Sequence, residues 1–249
     1  MEEESRRILS LIHSLNQPDK RALRQAVDAL ISAAPRFPHL DRELERLLGD
    51  KPGAESWPVA YVLAHISSPS SLCLRVLGET LGATDPDIRW AVVLLLVRLA
   101  KQNARIVGLL FDLLKSGAPI QRRMALYCLR DTDAEETAIL QALLESLRDP
   151  DPLVRVAAVN SLKNRADIGR DGLNRLLDLF LRDADLRVRR TTALVLAHLG
   201  APTGEIRAAL EDASASRDPH LKKAADAALA LLKKKGPPTP SGVDGPTVS

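Results

Sequence analysis

The sequence repeats at an interval of 33 residues. Leucines recur at this step along two registers, with a single step of 34 residues in each. The first register is Leu11, Leu44, Leu77, Leu110, Leu143, Leu177 and Leu210, and the second is Leu30, Leu63, Leu96, Leu129, Leu162, Leu196 and Leu229. The registers are offset by 19 residues, which is about one helix and a turn, and 33 residues is about twice that length. The pattern predicts an all-α fold, an α-solenoid of about seven helical hairpins.

The composition agrees with stacked helices and limits the classes of function that the charge and the cysteines support. The chain has 249 residues, of which 45% are hydrophobic but only 3% aromatic, as is typical of the thin, continuous core of a solenoid. The formal net charge of +3 is mildly basic, and it would indicate nucleic-acid binding only if the basic residues were clustered. Cys73 and Cys128 occupy apolar helical positions, so we expect two reduced, buried thiols and neither a disulfide nor a zinc site.

The sequence also predicts where the protein resides. The first residues are acidic and lack the apolar segment of a secretion signal. The longest strongly apolar run, residues 90–97, ends at Arg98 and is far shorter than the roughly 20 residues that cross a bilayer. We therefore expect a cytoplasmic protein without a membrane-spanning segment.

Each repeat can be numbered from the residue eight positions before its second-register leucine. Three residues before that origin stand Asp19, Asp85, Asp151, Asp185 and Asp218, and proline follows three of them. Aspartate caps the free N–H groups of a first helical turn, and proline fits the first helical position. The predicted second helices lie near residues 19–34, 55–67, 86–101, 119–130, 152–163, 185–199 and 219–234. Together they predict a solenoid over residues 1–235, followed by a disordered Pro/Gly-rich tail over residues 236–249.

The second helices resemble a known repeat. Residues 151–162 (DPLVRVAAVNSL) and 185–196 (DLRVRRTTALVL) are similar to HEAT repeats, specifically the short kind of phycobilin-lyase-type proteins. The resemblance implies that the acidic residues and the basic residues at position +1 (Arg89, Arg122, Arg155, Arg189 and Lys222) form a structural ladder between neighbouring repeats. It is informative about fold and nearly silent on function. Repeats 1 and 2 depart from the pattern, with Leu23 and Ser56 at position +1 and no Asp-Pro start in repeat 2.

The candidate binding residues lie on the inner helices. The resemblance places positions +2, +3, +6 and +10 of each second helix on the concave surface, and both tryptophans and both tyrosines of the chain occupy such positions in repeats 2 to 4. A large apolar patch marks a contact surface, and Trp and Tyr dominate interface energetics. The predicted partner-binding residues are Trp57, Tyr61, Trp90, Leu94, Arg98, Arg123, Met124, Tyr127 and Arg190. The competing interpretation is that these rings are buried between repeats, or that Trp57 belongs to a loop.

These residues favour a non-enzymatic scaffold or adaptor that binds a partner protein or peptide with apolar anchors and acidic flanks. Nucleic acid is the alternative ligand, because aromatic faces stack on bases and arginine neutralises phosphate. A DNA glycosylase of HEAT-like type would need a carboxylate near its tryptophans, but Tyr61 and Leu94 stand four residues after Trp57 and Trp90. A lyase or chaperone-like subunit that acts with a partner is a further alternative. No His-Glu pair or phosphate-binding loop is present, so we expect no catalytic residues, cofactor or metal.

Overall fold

The computed structural model describes residues 2–17, 19–133, 135–165, 167–199 and 204–235. The predicted tail, residues 236–249, lies outside these ranges. The described residues form α-helices and two short 3-10 turns, Ala34–Arg36 and Ala54–Ser56, and contain no β-strand. The helices are α1 (Glu2–Ser14), α2 (Lys20–Ala33), α3 (Leu40–Asp50), α4 (Trp57–Ile66), α5 (Ser71–Thr80), α6 (Pro86–Ala100), α7 (Ala104–Ser116), α8 (Pro119–Arg130), α9 (Glu136–Ser146), α10 (Pro152–Leu162), α11 (Gly169–Arg182), α12 (Leu186–Leu199), α13 (Gly204–Ser214) and α14 (Pro219–Lys235).

The chain divides into two compact units, residues 1–139 and 140–249. In the first unit, the consecutive helices of each pair contact one another, from α1 with α2 to α7 with α8. The even-numbered helices α2, α4, α6 and α8 form one layer, and α3, α5 and α7 form the other. In the second unit, α11 pairs with α12 and α13 pairs with α14, while α12 packs against both α10 and α14. The predicted all-α solenoid is confirmed.

The leucine registers form the core of this fold. Every second-register leucine from Leu30 to Leu196 is buried, as are Leu44, Leu77, Leu110, Leu143 and Leu210 of the first register. Leu11 and Leu229, at the two ends of the registers, are half-buried, and so is Leu177, whereas Leu176 beside it is fully buried. The first register therefore keeps its 33-residue step as far as Leu176, and the additional residue of the 34-residue step follows it.

The predicted aspartate caps are confirmed at the start of five even-numbered helices, α2, α6, α10, α12 and α14. The carboxylates of Asp19, Asp85, Asp151, Asp185 and Asp218 each accept a backbone N–H of the first turn at 2.7 to 2.9 Å. These bonds satisfy donors that the helix itself cannot pair. The Arg187 side chain donates to the Asp185 carboxylate. This bond, together with the backbone N–H bonds, lowers the pKa of Asp185 to about 2.

The arginines at position +1 hold the repeats together. Arg155 donates to the carbonyl of Asp149 and to both carboxylate oxygens of Asp183, which belongs to the following repeat. Arg189 contacts Asp218 of the next repeat at 2.9 Å. In the first unit, Arg122 donates to the carbonyl of Gly117 at 2.8 Å. The ladder between neighbouring repeats that the HEAT resemblance implies is therefore present in the second unit.

The two cysteines are buried, so their reactivity with an alkylating reagent can be used to test the packing of the first unit. Burial raises the pKa of Cys73 and of Cys128 to about 12, so roughly one thiol in ten thousand is ionised at about pH 8. We expect iodoacetamide to alkylate neither thiol at an appreciable rate in the native protein, and both after unfolding in guanidinium chloride. Mass spectrometry of the labelled chain measures this. Rapid native labelling of either cysteine would contradict the packing described here.

Candidate functional site

Three positions of each even-numbered helix face solvent in every repeat. Positions +2, +6 and +10 point about 200°, 240° and 280° around the helix from the repeat origin, at about 100° per residue. In all seven repeats the residues at these positions are exposed or half-buried, and none is buried; Asp131 and Asn164, at position +10, follow the ends of α8 and α10. Positions +2 and +6 therefore form one side of the layer in each unit.

Position +3 behaves differently and corrects one predicted residue. Met124 is only 2% exposed, so it contributes no surface for a partner. The physical reason is its direction: position +3 points about 300° around the helix, within about 40° of the buried position +7. Pro58, Ala157 and Ala224, at the same position of other repeats, are buried as well.

Five of the predicted residues form what we call the aromatic strip: Trp57 and Tyr61 on α4, Trp90 and Leu94 on α6, and Tyr127 on α8. Trp57 and Tyr61 meet edge to face with 6.0 Å between ring centroids. Trp90 and Tyr127 stack at 5.4 Å with an interplanar angle of 20°, which joins α6 to α8. Both arrangements are favourable for aromatic pairs. The strip therefore crosses three neighbouring helices of the first unit.

The strip is open to solvent at its centre. Trp90 is 43% exposed and Leu94 is 69% exposed, whereas Trp57, Tyr61 and Tyr127 are half-buried. Trp90 and Leu94 are one turn apart on α6, so together they form an exposed apolar patch, which is more informative than a single exposed leucine. Leu95 and Leu96 of the same helix are buried, so on α6 this patch lies on the side that faces away from the core.

A cleft of about 540 Å³ lies beside Trp90, between α2 and α6 and across α4. Its apolar lining comes from Leu23 and Val27 on α2, Trp57 and Tyr61 on α4, and Ile88, Ala91 and Leu94 on α6. This volume lies within the range of natural ligand pockets. The cleft thus extends the aromatic strip from α4 onto α2.

The sequence pattern did not lead us to predict that α2 lines the cleft, although one departure from the repeat indicated it. Position +1 of repeat 1 carries Leu23 in place of the basic residue of repeats 3 to 7, so an apolar side chain stands where other repeats have a guanidinium or ammonium group. Repeat 2 lacks the aspartate cap, and its helix α4 begins only at Trp57, after the 3-10 turn. Lys20 at the start of α2 and Asp85 at the start of α6 form an ion pair that joins these two helices beside the cleft.

Some of the arginines near the strip are paired with a carboxylate and others are not. Arg130 is paired with both carboxylate oxygens of Asp131 at 2.7 Å and lies over the Tyr127 ring. Within the described residues, the guanidinium groups of Arg24, Arg98 and Arg123 have no hydrogen-bond or ion-pair partner, and the buried Nε of Arg123 is unsatisfied. These three cations therefore remain available to an external anion.

Two titratable rings border the strip. Burial raises the pKa of Tyr61 and lowers the pKa of His65. The His65 ring lies against Tyr61 with 4.5 Å between ring centroids and a tilt of 44°, and it donates its Nδ1–H to the Tyr61 carbonyl at 2.9 Å. Both rings are therefore uncharged at neutral pH, which keeps this end of the strip apolar.

The remaining predictions concern the second unit and the rest of the chain. Arg190 lies on α12 of the second unit and is exposed. Among the described residues, no group of three or more His, Cys, Asp or Glu side chains is arranged to hold a metal ion. In the same part of the chain, every helix is too short or too polar to span a bilayer.

Comparison with known proteins finds a repeat family that matches part of the chain. No curated protein is significantly similar to this chain. Three crystal structures of engineered proteins from the Northeast Structural Genomics Consortium are similar at 19%, 17% and 19% identity, with TM-scores of 0.44, 0.42 and 0.41. The aligned regions span 89%, 91% and 92% of this chain, and they span 67%, 98% and 98% of the three engineered chains. Residues 74–163, from α5 to just after α10, match the HEAT-repeat family. The described residues are therefore all-α, and residues 74–163 are similar to HEAT repeats.

Proposed function

We propose that this protein is a non-enzymatic scaffold that binds a partner protein or peptide through the aromatic strip. The observation that carries the proposal is the exposure of Trp90 and Leu94 beside the cleft. Tryptophan and other large apolar side chains at the centre of a contact dominate its free energy, because their burial removes much apolar surface from water. HEAT repeats generally mediate protein interactions, and residues 74–163, which include Trp90, Leu94 and Tyr127, match such repeats.

The finer features of the proposal follow from the sequence. We infer that the repeats are of the short phycobilin-lyase type, on the strength of residues 151–162 and 185–196, and that they continue through residues 1–235. The buried, free thiols of Cys73 and Cys128 agree with a reducing compartment such as the cytoplasm. Arg190 belongs to the proposal only as a second, separate contact on α12.

The proposal is tested by selecting short random peptides, displayed on phage, against the full chain. Synthetic versions of the enriched peptides are then titrated by fluorescence anisotropy against wild type, Trp90→Ala and Leu94→Ala. We expect each substitution to weaken binding about 30-fold, because hot-spot truncations cost about 2 kcal/mol and 1.4 kcal/mol is tenfold in affinity. Leu186→Ala is the matched control, since Leu186 is a 42% exposed leucine in the second unit.

Two results would contradict the proposal. The first is that Leu94→Ala and Leu186→Ala bind the selected peptides as tightly as wild type. The second is that a single-stranded or duplex oligonucleotide binds the strip tightly with a steep loss of affinity as salt is raised, which is the behaviour expected when several phosphates are neutralised.

A further inference from the structure

We infer that the partner segment, on the proposed function above, binds in one direction: a bulky apolar side chain enters the cleft between α2 and α6, and acidic residues lie towards α8, over Arg98 and Arg123. The strip is asymmetric in two ways that support this. Its cavity is at the α2 side, where the cations of the lining, including Arg24, are matched by three aspartates, and its net positive charge is at the α6 and α8 side.

The cleft suits an uncharged anchor. Its polar lining consists of Lys20, Arg24, Asp28, Asp85 and Asp87. Lys20 pairs with Asp85 and lies 3.7 Å from Asp87, and Arg24 and Asp28 carry opposite charges one turn apart on α2. The charges of the lining therefore nearly cancel, while the apolar walls favour a large aliphatic or aromatic side chain.

The opposite side of the strip favours an anion. The Arg98 and Arg123 guanidinium groups have no partner among the described residues. The two carboxylates that follow α8 are paired with other cations, Asp131 with Arg130 and Asp133 with Lys101 at 3.3 Å. Asp28 lines the cleft from α2, on the other side of α4. A carboxylate placed over α8 would therefore meet attraction without a competing acid.

The spacing of the helices sets the number of residues between the apolar anchor and the acidic residues of the bound peptide. The cleft is centred near α4, and Arg123 lies two helices further along the layer on α8. Packed helices are about 8 to 10 Å apart, so the two subsites are about 16 to 20 Å apart. An extended peptide advances about 3.3 Å per residue, which places the acidic residues about five or six positions from the anchor.

The inference is tested with the same peptide library. We expect peptides selected by wild type to carry an apolar anchor with Asp or Glu on one side only, about five or six residues away. The Arg98→Glu, Arg123→Glu double variant should bind them about tenfold or more weakly, and replacing their acidic residues with Lys should restore its affinity. The Arg42→Glu, Arg207→Glu double variant is the control, because it makes the same charge change at exposed positions away from the strip.

The outcomes separate the inference from the proposed function. Selected peptides that need Leu94 but carry no one-sided acidic residues would overturn the inference alone. So would acidic peptides whose affinity is the same for both double variants. If no selected peptide depends on Trp90 or Leu94, the proposed function itself fails, and the inference fails with it.

Discussion

Replacing Leu96 with alanine is expected to lower the free energy of unfolding by about 3 kcal/mol, whereas the same change at Leu94 should cost less than about 0.5 kcal/mol. The two leucines are two residues apart on α6. Leu96 is fully buried in the second register, and Leu94 is 69% exposed. Truncation of Leu96 removes packed methyl groups and leaves a cavity, while truncation of Leu94 removes atoms that already face water.

Urea denaturation followed by circular dichroism measures both variants against wild type. Because the helix and the substitution are the same, helix propensity cancels between them, and the difference reports burial alone. Equal losses for Leu94→Ala and Leu96→Ala would mean that the side of α6 assigned to solvent is part of the core. The strip would then have no surface to offer a partner.

The second large loss of stability is expected when the ion pair between Arg155 and Asp183 is broken. Their side chains are only 15% and 4% exposed, and Arg155 donates from Nε and Nη2 to the carboxylate at 2.8 Å. Arg155→Ala should therefore destabilise the second unit by about 3 kcal/mol, because it leaves a buried carboxylate with only the Asp185 N–H as donor.

Thermal or urea unfolding measures this loss, and Arg182→Ala is the control. Arg182 pairs with Asp178 within one helix, and both side chains are well exposed, so that substitution should cost less than about 0.5 kcal/mol. The double variant Arg155→Met, Asp183→Leu should be more stable than Arg155→Ala alone, since it removes the unpaired charge. A loss at Arg155→Ala no larger than at Arg182→Ala would show that the ladder contributes little to stability.

Much of the fold could be predicted from the sequence because each repeat applies the same local rules. Aspartate before the helix caps its first turn at Asp151 and Asp218, as predicted. The leucine registers identify the buried side of each helix, because a fixed spacing on similar helices keeps the same direction. The 34-residue steps were the exception: spacing alone could not distinguish Leu177 from the buried Leu176.

The site could be predicted only in part, because it depends on departures from the repeat. Positions +2 and +6 follow from helical geometry, and Trp90 and Leu94 are exposed there. Met124 was assigned wrongly because position +3 borders the buried face, where packing against neighbouring helices decides exposure: Gln25 at the same position is exposed, whereas Met124 is buried. The cleft depends on the late start of α4 and on Leu23 of a different repeat, and such contacts between helices require the structure.

Hydroxyl-radical footprinting of the native chain, read by mass spectrometry, tests most directly whether the strip is open to solvent. Trp90 and Met124 occupy positions +2 and +3 of neighbouring repeats, and both side chains are readily oxidised when water reaches them. We expect rapid oxidation of Trp90 and of Leu94, with Met124 protected until the protein unfolds. Protection of Trp90 to the same degree as Met124 would mean that the strip is closed to solvent.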